Sequence, residues 1–334
     1  MGSERIIGVA GATGALGREV LAVLDGAPWR PDRVVPLASA ATSESFVRYG
    51  DADVAVDNVA DQALEELDGL IVATPAGIAE ALVDAAIGEG VFVVDASGVS
   101  AGREDVPLVV PWVNPDKLIT ATIGAVGLPH PASTLLGSVL APLRRAGITG
   151  PAHAQVLLPA STAGRAGVEE LSRQVVAMFS SGTPPRKVFA DGLAFDVLPA
   201  VGAIDAMDGV SAVERRVQAE LEGLLPSGGA VVTAVRVPVF SGVCASILVH
   251  AAGSVPPELA LRVLEDGGVR VTRETTARQL PRPRNVEAEP FARVGRARVD
   301  EVGALHLWAA MDNLRGSATA AVGCLGHMLR DRGA

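Results

Sequence analysis

The feature that most constrains the fold is a glycine-rich stretch near the start of the chain, GVAGATGALG at residues 8–17. Gly11, Gly14 and Gly17 follow an apolar run that predicts a strand, and they precede the helix pattern GALGREVLAVLDG. Such a loop permits a tight turn and lets the backbone approach a pyrophosphate at the N-terminus of the helix. The loop therefore predicts dinucleotide binding, the alternative being a glycine-rich turn without a ligand. The residues expected to contact the cofactor are Gly11, Thr13, Gly14, Ala15, Leu16 and Gly17.

Strand and helix patterns alternate through the first third of the chain. Apolar runs at 33–39, 69–74 and 91–97 predict strands, and residues 77–90 predict a helix. This alternation is typical of right-handed βαβ units around a parallel sheet. The first part of the chain is therefore predicted to be a Rossmann-type, dinucleotide-binding α/β domain.

The pattern changes after about residue 148. The runs AVVTAVRVPVF at 230–240 and ASILVHAAG at 245–253 predict two strands with no helix between them, which favours an antiparallel or mixed sheet. We predict a second, α+β domain for substrate binding and dimerisation. The expected boundaries are 1–130 together with a C-terminal helix at 313–332 for the first domain, and 131–312 for the second.

The end of the second predicted strand bears on the choice of cofactor. An NAD site usually has an acidic residue there for the ribose hydroxyls. Here the strand ends LAS, and no acid is present to repel a 2′-phosphate. Ser39 and Ser43 could donate to that phosphate, so NADP is favoured over NAD, although the nearest arginine is Arg48.

Composition excludes several classes of protein. A net charge of −10 and a pI of about 5.1 argue against nucleic-acid binding, which requires a basic surface. The most apolar long stretch, residues 70–94, is interrupted by Pro75 and by acidic residues and does not predict a membrane span. No signal peptide is visible, and the two cysteines, Cys244 and Cys324, fit a reducing compartment without metal-ligand spacing. We expect a cytoplasmic protein without a metal site.

The stretch VGLPHPASTLL at 126–136 holds a histidine between two prolines, just ahead of a predicted helix. It is either a stiff loop over a core or the remodelled remains of a reactive site. Ser133 or Thr134 is expected to cap this helix, since serine and threonine are common N-cap residues.

Several motifs together carry a family resemblance. A short-chain dehydrogenase is excluded, because the only tyrosine, Tyr49, has Asp53 rather than lysine four residues later. The order and spacing of the motifs resemble the aspartate-semialdehyde dehydrogenases over nearly the whole chain. The motifs are GATGALG, LAS, VDASG, DVPLVVPWVNPD, AGRAGVEEL, AFDVLP, VRVPVFSG, VGRAR and LWAAMDNLRGSA. The resemblance implies an NADP-dependent, phosphorylating aldehyde dehydrogenase that works through a cysteine thiolate assisted by a histidine, usually as a homodimer formed through the second domain.

The resemblance also implies roles for individual residues. Asp312 and Asn313 match the family's DN pair near the nicotinamide, Arg236 matches the arginine that binds the substrate carboxylate, and Glu220 matches a substrate-binding glutamate. The phosphate-binding arginine of the family falls near Ala101, with Arg103 close enough to replace it. The implied ligand is a small carboxylated molecule. Without a ligand, Arg236 would be a surface ion-pair residue and Glu220 an exposed helix acid.

The catalytic positions depart from the family pattern. Where the family reads PNCST, this chain reads PHPAST, which places His130, Pro131 or Ala132 at the thiol position. Val243 stands at the position of the acid/base histidine. Pro159 replaces the glutamine that orients the acyl intermediate, and Gly223 replaces a lysine.

Three interpretations remain open from the sequence. The first is a degenerate or regulatory homologue that keeps the scaffold and could pair with an active paralogue. The second is an active NADP-dependent oxidoreductase in which His130 supplies the proton-transfer group or Cys244 the thiol. The sequence also fits a purely structural role for both residues. The third is acyl-phosphate reduction on another substrate, as in glutamyl-phosphate reductases, which needs the same missing thiol.

Overall fold

The computed structural model describes residues 4–40, 42, 45–119, 121 and 123–331. Its strands are β1 (Ile6–Ala10), β2 (Arg33–Ala38), β3 (Phe46–Tyr49), β4 (Ala52–Ala55), β5 (Asp57–Asn58), β6 (Gly69–Val72), β7 (Phe92–Asp95), β8 (Ala125–Gly127), β9 (Ala152–Leu158), β10 (Val231–Arg236), β11 (Val243–Val249), β12 (Arg270–Thr272), β13 (Arg293–Val299) and β14 (Leu305–Met311). Its α-helices are α1 (Ala15–Asp25), α2 (Ala76–Gly88), α3 (Asp116–Ile119), α4 (Pro131–Arg145), α5 (Gly164–Phe179), α6 (Ala212–Leu224), α7 (Pro257–Asp266) and α8 (Asn313–Asp331).

The chain forms two compact units. Unit 1 comprises Met1–Pro129 and Ser317–Ala334, and unit 2 comprises His130–Gly316. Helix α8 begins in unit 2, and from Ser317 onward its residues belong to unit 1.

Unit 1 is built on a parallel sheet with the strand order β5-β2-β1-β6-β7-β8. Strands β1 and β6 are almost fully buried because helices cover both faces of the sheet, which confirms the predicted parallel α/β fold. The order reverses at β1, between β2 and β6, and the glycine loop leaves the carboxyl end of that strand. In open parallel sheets this switch point is where ligands bind.

The predicted C-terminal helix completes one face of unit 1. Ala321, Cys324, Leu325 and Met328 of α8 lie in the same buried cluster as Val20 of α1. On the described residues, no helix is both long and apolar enough to cross a membrane.

Unit 2 is built on a mixed sheet with the order β10-β9-β11-β14-β13-β12. Strand β9 pairs parallel with β10 and antiparallel with β11, so the predicted mixed sheet is confirmed. The two strands that are close in sequence, β10 and β11, are not neighbours, because β9 lies between them.

Helix α4 lies at the centre of unit 2 and positions the candidate site. It has fifteen residues, and nearly all of them are buried because α4 contacts α6, α7 and the sheet strands β9, β11 and β14. Pro131 stands at its first position, where a missing N–H costs nothing. The start of this helix is therefore held firmly by its surroundings.

Candidate functional sites

The glycine loop of unit 1 has a geometry that only glycine allows at two of its three positions. Gly11 has φ +84°, and a Cβ there would lie 2.5 Å from the carbonyl oxygen of Ala73. A Cβ on Gly17 would overlap the carbonyl oxygen of Gly11. Gly14 is the N-cap of α1 with an ordinary extended backbone, and a Cβ there would lie 3.1 Å from the carbonyl oxygen of Gly11, a tight contact but not an overlap. The loop is thus a close-packed cradle at the start of a helix.

The groups around this cradle suit a phosphate. Helix α1 begins at Ala15 with no acidic residue in its first turn, so the N–H groups and positive dipole end near Leu16 are not neutralised there. Thr13 lies in the turn, and its carbonyl oxygen accepts a hydrogen bond from Nε of Arg18 at 3.2 Å. The hydroxyl of Thr74, beside Gly11, is buried and has no hydrogen-bond partner on the described residues. The loop therefore fits a dinucleotide, for which Thr74 Oγ1 would be a further donor.

Two serines of unit 1, Ser39 and Ser43, are expected to donate hydrogen bonds to the 2′-phosphate of NADP. Ser39 follows β2 and is exposed at the carboxyl edge of the sheet. Ser43 lies outside the described residues.

Arg103 does not present a free guanidinium to a phosphate. Its Nε and Nη2 atoms bind the carboxylate of Asp105 at 3.0 and 2.8 Å, and its Nη1 atom binds Asp84 Oδ1 at 2.6 Å. Hydrogen bonds to Asp105 and Asp84 raise the pKa of Arg103 above its usual value. An anionic ligand would have to compete with two carboxylates for this side chain.

In unit 2, His130 caps helix α4. Its Nδ1 atom accepts the backbone N–H of Ala132 at 3.1 Å, and its backbone is extended at φ −54° and ψ 144°. The expectation that Ser133 or Thr134 is the cap is wrong: the proline at position 131 starts the helix earlier and keeps the preceding residue extended. Ala132 is fully buried in the first turn.

A buried carboxylate also lies at this helix start. Glu220 Oε2 accepts the backbone N–H of His130 at 2.8 Å and the hydroxyl of Ser133 at 2.5 Å. The other carboxylate oxygen of Glu220, Oε1, accepts a hydrogen bond from Nε of Arg216 at 2.6 Å. The anion-stabilising end of α4 is therefore occupied by the protein's own carboxylate, and Glu220 is not the exposed helix acid that its sequence position allowed.

The imidazole of His130 is neutral at physiological pH. Burial, with smaller contributions from the positive charges of Arg216 and Arg236, lowers the pKa of His130 to about 3. Since Nδ1 accepts a hydrogen bond, the ring proton is on Nε2. No described residue forms a hydrogen bond with Nε2, and His130 is only partly buried, so this N–H is available to solvent or to a ligand.

Arg236 ends β10 and is 8% exposed. Its Nη1 atom donates to the carbonyl of Pro159 at 3.0 Å and to Thr162 Oγ1 at 2.9 Å, and its guanidinium lies over the ring of Phe189 at 5.3 Å. No carboxylate of the described residues forms an ion pair with it, and burial lowers its pKa. A buried guanidinium without a counter-ion is suited to bind an anion.

The other family positions hold no catalytic group. Pro159 precedes the short 3₁₀ helix Ala160–Ala163 and offers only its carbonyl. Val243 is fully buried at the start of β11. The adjacent Cys244 lies in an apolar cluster with Val286 and Ala310, and burial raises its pKa to about 12. Burial also raises the pKa of Cys324, which lies in the core of unit 1.

Asp312 and Asn313 have structural partners at the start of α8. Asp312 Oδ1 accepts the backbone N–H groups of Leu314 and Arg315 at 3.0 and 3.1 Å, which is an N-cap. Asn313 is buried, and its Oδ1 accepts the N–H of Gly242 at 2.9 Å.

Sequence reasoning missed several members of these sites. The Arg216–Glu220 pair has the i,i+4 spacing of a helix ion pair, which was visible in the helix pattern. Nothing local marked Thr162, Phe189 or Thr74, because each acts through a contact with a residue distant in sequence.

Comparison with known proteins finds related sequences and structures over nearly the whole chain. Two family models match: a semialdehyde dehydrogenase NAD-binding domain over residues 6–121 and a semialdehyde dehydrogenase dimerisation domain over residues 140–316. The chain is 29% identical to an aspartate-semialdehyde dehydrogenase of Rickettsia bellii, covering 93% of this chain and 94% of that protein. It is 29% identical to a USG-1 protein homolog of Pseudomonas aeruginosa, covering 97% of each.

Solved structures agree with these matches. A probable aspartate-semialdehyde dehydrogenase from Pseudomonas aeruginosa superposes with a TM-score of 0.91 at 29% identity, covering 99% of this chain and 100% of that one. Aspartate semialdehyde dehydrogenase II from Vibrio cholerae, complexed with ASA, has a TM-score of 0.91 at 26% identity and covers 99% of each chain.

Proposed function

Because the chain belongs to the semialdehyde dehydrogenase family, we propose that it uses the family's scaffold to bind NADP and a small carboxylate, and that it has lost thiol-dependent aldehyde and acyl-phosphate chemistry. In this proposal the protein is a degenerate or regulatory homologue rather than a phosphorylating dehydrogenase.

The observation that carries the proposal is the state of the two cysteines. A thiolate is the nucleophile in thiol chemistry, and a thiol whose pKa is about 12, as in Cys244, is protonated at neutral pH. Cys324 is buried in the core of unit 1, and the helix start that would activate a thiol carries Ala132. Loss of a catalytic nucleophile commonly lowers turnover on the order of 10⁴- to 10⁶-fold.

For the cofactor, the glycine cradle and the start of α1 would hold the phosphates. The bound nicotinamide would supply hydride transfer. The preference for NADP over NAD rests on Ser39, an exposed hydroxyl at the position where an NAD site usually has an acid. A Ser39→Asp variant is expected to weaken NADPH binding at least about tenfold, because the new carboxylate would repel the 2′-phosphate, and to leave NADH binding unchanged or improved.

The carboxylate ligand is proposed from Arg236. Its guanidinium is held by Thr162 and the Pro159 carbonyl on one side and has no counter-ion among the described residues. Two parallel hydrogen bonds from a fixed guanidinium match a carboxylate.

We further propose a cytoplasmic homodimer. The match of unit 2 to a dimerisation domain supports the dimer. An apolar surface on unit 2, formed by Val176, Phe179 and Phe195, supports it as well: Phe179 is 81% and Phe195 64% exposed, and their rings contact each other. The same surface could pair with an active paralogue. The two unpaired, buried cysteines fit a reducing compartment.

An alternative function is an NADP-dependent oxidoreductase with altered residues. One observation favours it: the Nε2–H of His130 is a neutral donor able to polarise a carbonyl. Any NADPH-linked activity of this kind would be lost in His130→Ala. The burial of Cys244 argues against the version in which that thiol takes part.

The proposal is tested by two measurements on the purified protein. Calorimetric titration should show binding of NADPH. Initial rates with aspartate semialdehyde, NADP and phosphate should show no phosphate-dependent turnover in the ordinary enzyme range of about 1–10³ s⁻¹. Turnover in that range would overturn the loss of chemistry, and absence of NADPH binding would overturn the cofactor assignment.

A further inference from the structure

Arg18 of α1 places a positive charge at the edge of the glycine cradle in unit 1. Its Nε atom donates to the carbonyl oxygen of Thr13 at 3.2 Å, and no carboxylate of the described residues forms an ion pair with it. We propose that Arg18 binds the 2′-phosphate of NADP and thereby sets the preference for NADP over NAD. The inference rests on the proposed binding of NADP at this cradle.

The position of Arg18 in its helix is unfavourable unless an anion is bound. Arg18 is the fourth residue of α1, and its backbone N–H donates to the carbonyl oxygen of the N-cap, Gly14, at 3.2 Å. A cation in the first turn of a helix meets the positive end of the helix dipole, so this position favours an acidic side chain. Since α1 has no acidic residue in its first turn, nothing in that turn offsets the charge of Arg18.

The pyrophosphate of a dinucleotide does not require Arg18. The backbone N–H groups of Ala15, Leu16 and Gly17 precede the first α-helical hydrogen bond and have no partner within the helix. The buried hydroxyl of Thr74 is a further donor beside the cradle. These neutral donors suit the two phosphates that NAD and NADP share. The guanidinium of Arg18 is left for the one phosphate that only NADP carries.

Hydrogen bonds join the cradle to the end of β2, where a dinucleotide site recognises the adenine ribose. The N–H groups of Gly11 and Ala12 both donate to the carbonyl oxygen of Leu37, at 2.8 and 3.1 Å. The carbonyl that holds Arg18 belongs to the next residue of the cradle, and Ser39 is two residues beyond Leu37. Arg18 and Ser39 therefore flank the same junction at the carboxyl edge of the sheet.

Other charged groups near this edge do not take the place of Arg18 or oppose a phosphate there. Arg48 lies 3.5 Å from Asp51 and 3.7 Å from Asp53, so its charge is already neutralised. Asp57 of β5 is level with Leu37 and shares its face of the sheet, which packs on α2, whereas α1 packs on the other face. Because Nε of the guanidinium is engaged, its two Nη atoms remain to bind two oxygens of one phosphate.

The test uses three forms of the full-length protein and two matched pairs of ligands. The pairs are NADPH with NADH, and adenosine 2′,5′-bisphosphate with 5′-AMP, so that the members of each pair differ only by the 2′-phosphate. Affinities are measured by calorimetry for wild type, Arg18→Gln and Arg33→Gln. Arg33 is the matched control, because it is an exposed arginine at the opposite end of β2 from Ser39 and its replacement removes the same charge.

Wild type should bind the 2′-phosphorylated member of each pair more tightly. Arg18→Gln should weaken binding of NADPH and of the bisphosphate about tenfold to a hundredfold, the loss expected for hydrogen bonds to a charged group. It should leave the affinities for NADH and 5′-AMP unchanged, and Arg33→Gln should leave all four affinities unchanged. The ligand-free melting temperature of Arg18→Gln should equal or exceed that of wild type, because a cation leaves the positive end of α1.

The outcomes separate this inference from the function on which it rests. If Arg18→Gln weakens NADPH and NADH binding by the same factor, or weakens neither, the assigned role of Arg18 is wrong and cofactor binding stands. An equal loss of NADPH affinity in Arg33→Gln, or a lower ligand-free melting temperature of Arg18→Gln, would also overturn the inference. If wild type binds none of the four ligands, the proposed cofactor site itself is wrong.

Discussion

In unit 2 a carboxylate oxygen of Glu220 accepts the backbone N–H of His130 at 2.8 Å, so a negative charge already lies at the helix start where a thiolate would otherwise be stabilised. Together with the imidazole cap on Ala132, this contact removes two of the features that lower a thiol's pKa at a helix N-terminus.

Restoring a cysteine alone should therefore fail to restore a reactive thiol. In Ala132→Cys we expect a thiol pKa at or above the ordinary value of about 8.5, because the Glu220 carboxylate opposes ionisation and the site is buried. The pH dependence of thiolate absorbance measures it. As a control, Ala132→Cys combined with Glu220→Gln should have a lower thiol pKa. A pKa well below 8.5 in the single variant would show that Glu220 does not govern this helix start.

A second carboxylate, Glu170, should make stability depend on pH. It accepts the backbone N–H groups of Lys187, Val188 and Phe189, each at 2.8 Å, which fastens the segment whose Phe189 stacks on Arg236. Burial opposes ionisation, but these three donors keep the pKa of Glu170 below its ordinary 4.5.

Because the folded pKa is below the unfolded one, this stabilisation is present above about pH 4.5 and is lost as pH falls through the folded value. Glu170→Gln should lower the free energy of unfolding at pH 7 by about 1–3 kcal/mol. The difference from wild type should shrink on acidification, as measured by urea unfolding. Glu222→Gln, an exposed change on α6, should have little effect at either pH. A difference for Glu170→Gln that is independent of pH would contradict the assigned role.

The glycine cradle can be tested by adding a single methyl group. Gly11→Ala should abolish NADPH binding, because the residue has φ +84° and its Cβ would lie 2.5 Å from the Ala73 carbonyl oxygen. Gly88→Ala, at the end of α2, has open space and serves as the matched control. Calorimetry of the two variants should separate them by at least about tenfold in affinity. Equal affinities would show that the cofactor, if bound, does not use this loop.

The apolar surface of Val176, Phe179 and Phe195 should be covered in solution. Wild type is expected to sediment as a dimer, and Phe179→Asp with Phe195→Asp as a monomer, because two buried charges oppose association. Phe46→Asp, which changes a phenylalanine of unit 1 that is 66% exposed, should leave the dimer intact. A double variant that stays dimeric would place the interface elsewhere.

The parts of the fold that follow from local pattern could be predicted. The glycine loop and the alternating apolar runs predicted the parallel sheet, because the residues that form each βαβ unit are close together in the sequence. The neighbours within the second sheet could not be read in this way. Strands β10 and β11 are close in sequence, yet β9, which begins about eighty residues before β10, lies between them.

The contacts of the candidate site likewise could not be predicted from local sequence. Ser133 and Thr134 were expected to cap α4 because their residue types are the common caps, but Pro131 moved the helix start and made His130 the cap. The family resemblance implied substrate-binding roles for Glu220 and Arg236. That Glu220 binds a residue ninety positions away, and that Arg236 has no counter-ion among the described residues, follows only from the tertiary structure.

The central claim is that this chain forms no covalent acyl intermediate, and intact-mass measurement tests it directly. The protein is mixed with aspartate semialdehyde and NADP without phosphate, quenched in acid and weighed with and without hydroxylamine, which cleaves thioesters. The expected result is an unmodified mass or only adducts that resist hydroxylamine. A stoichiometric, hydroxylamine-sensitive acyl adduct that maps to Cys244 or Cys324 would contradict the claim.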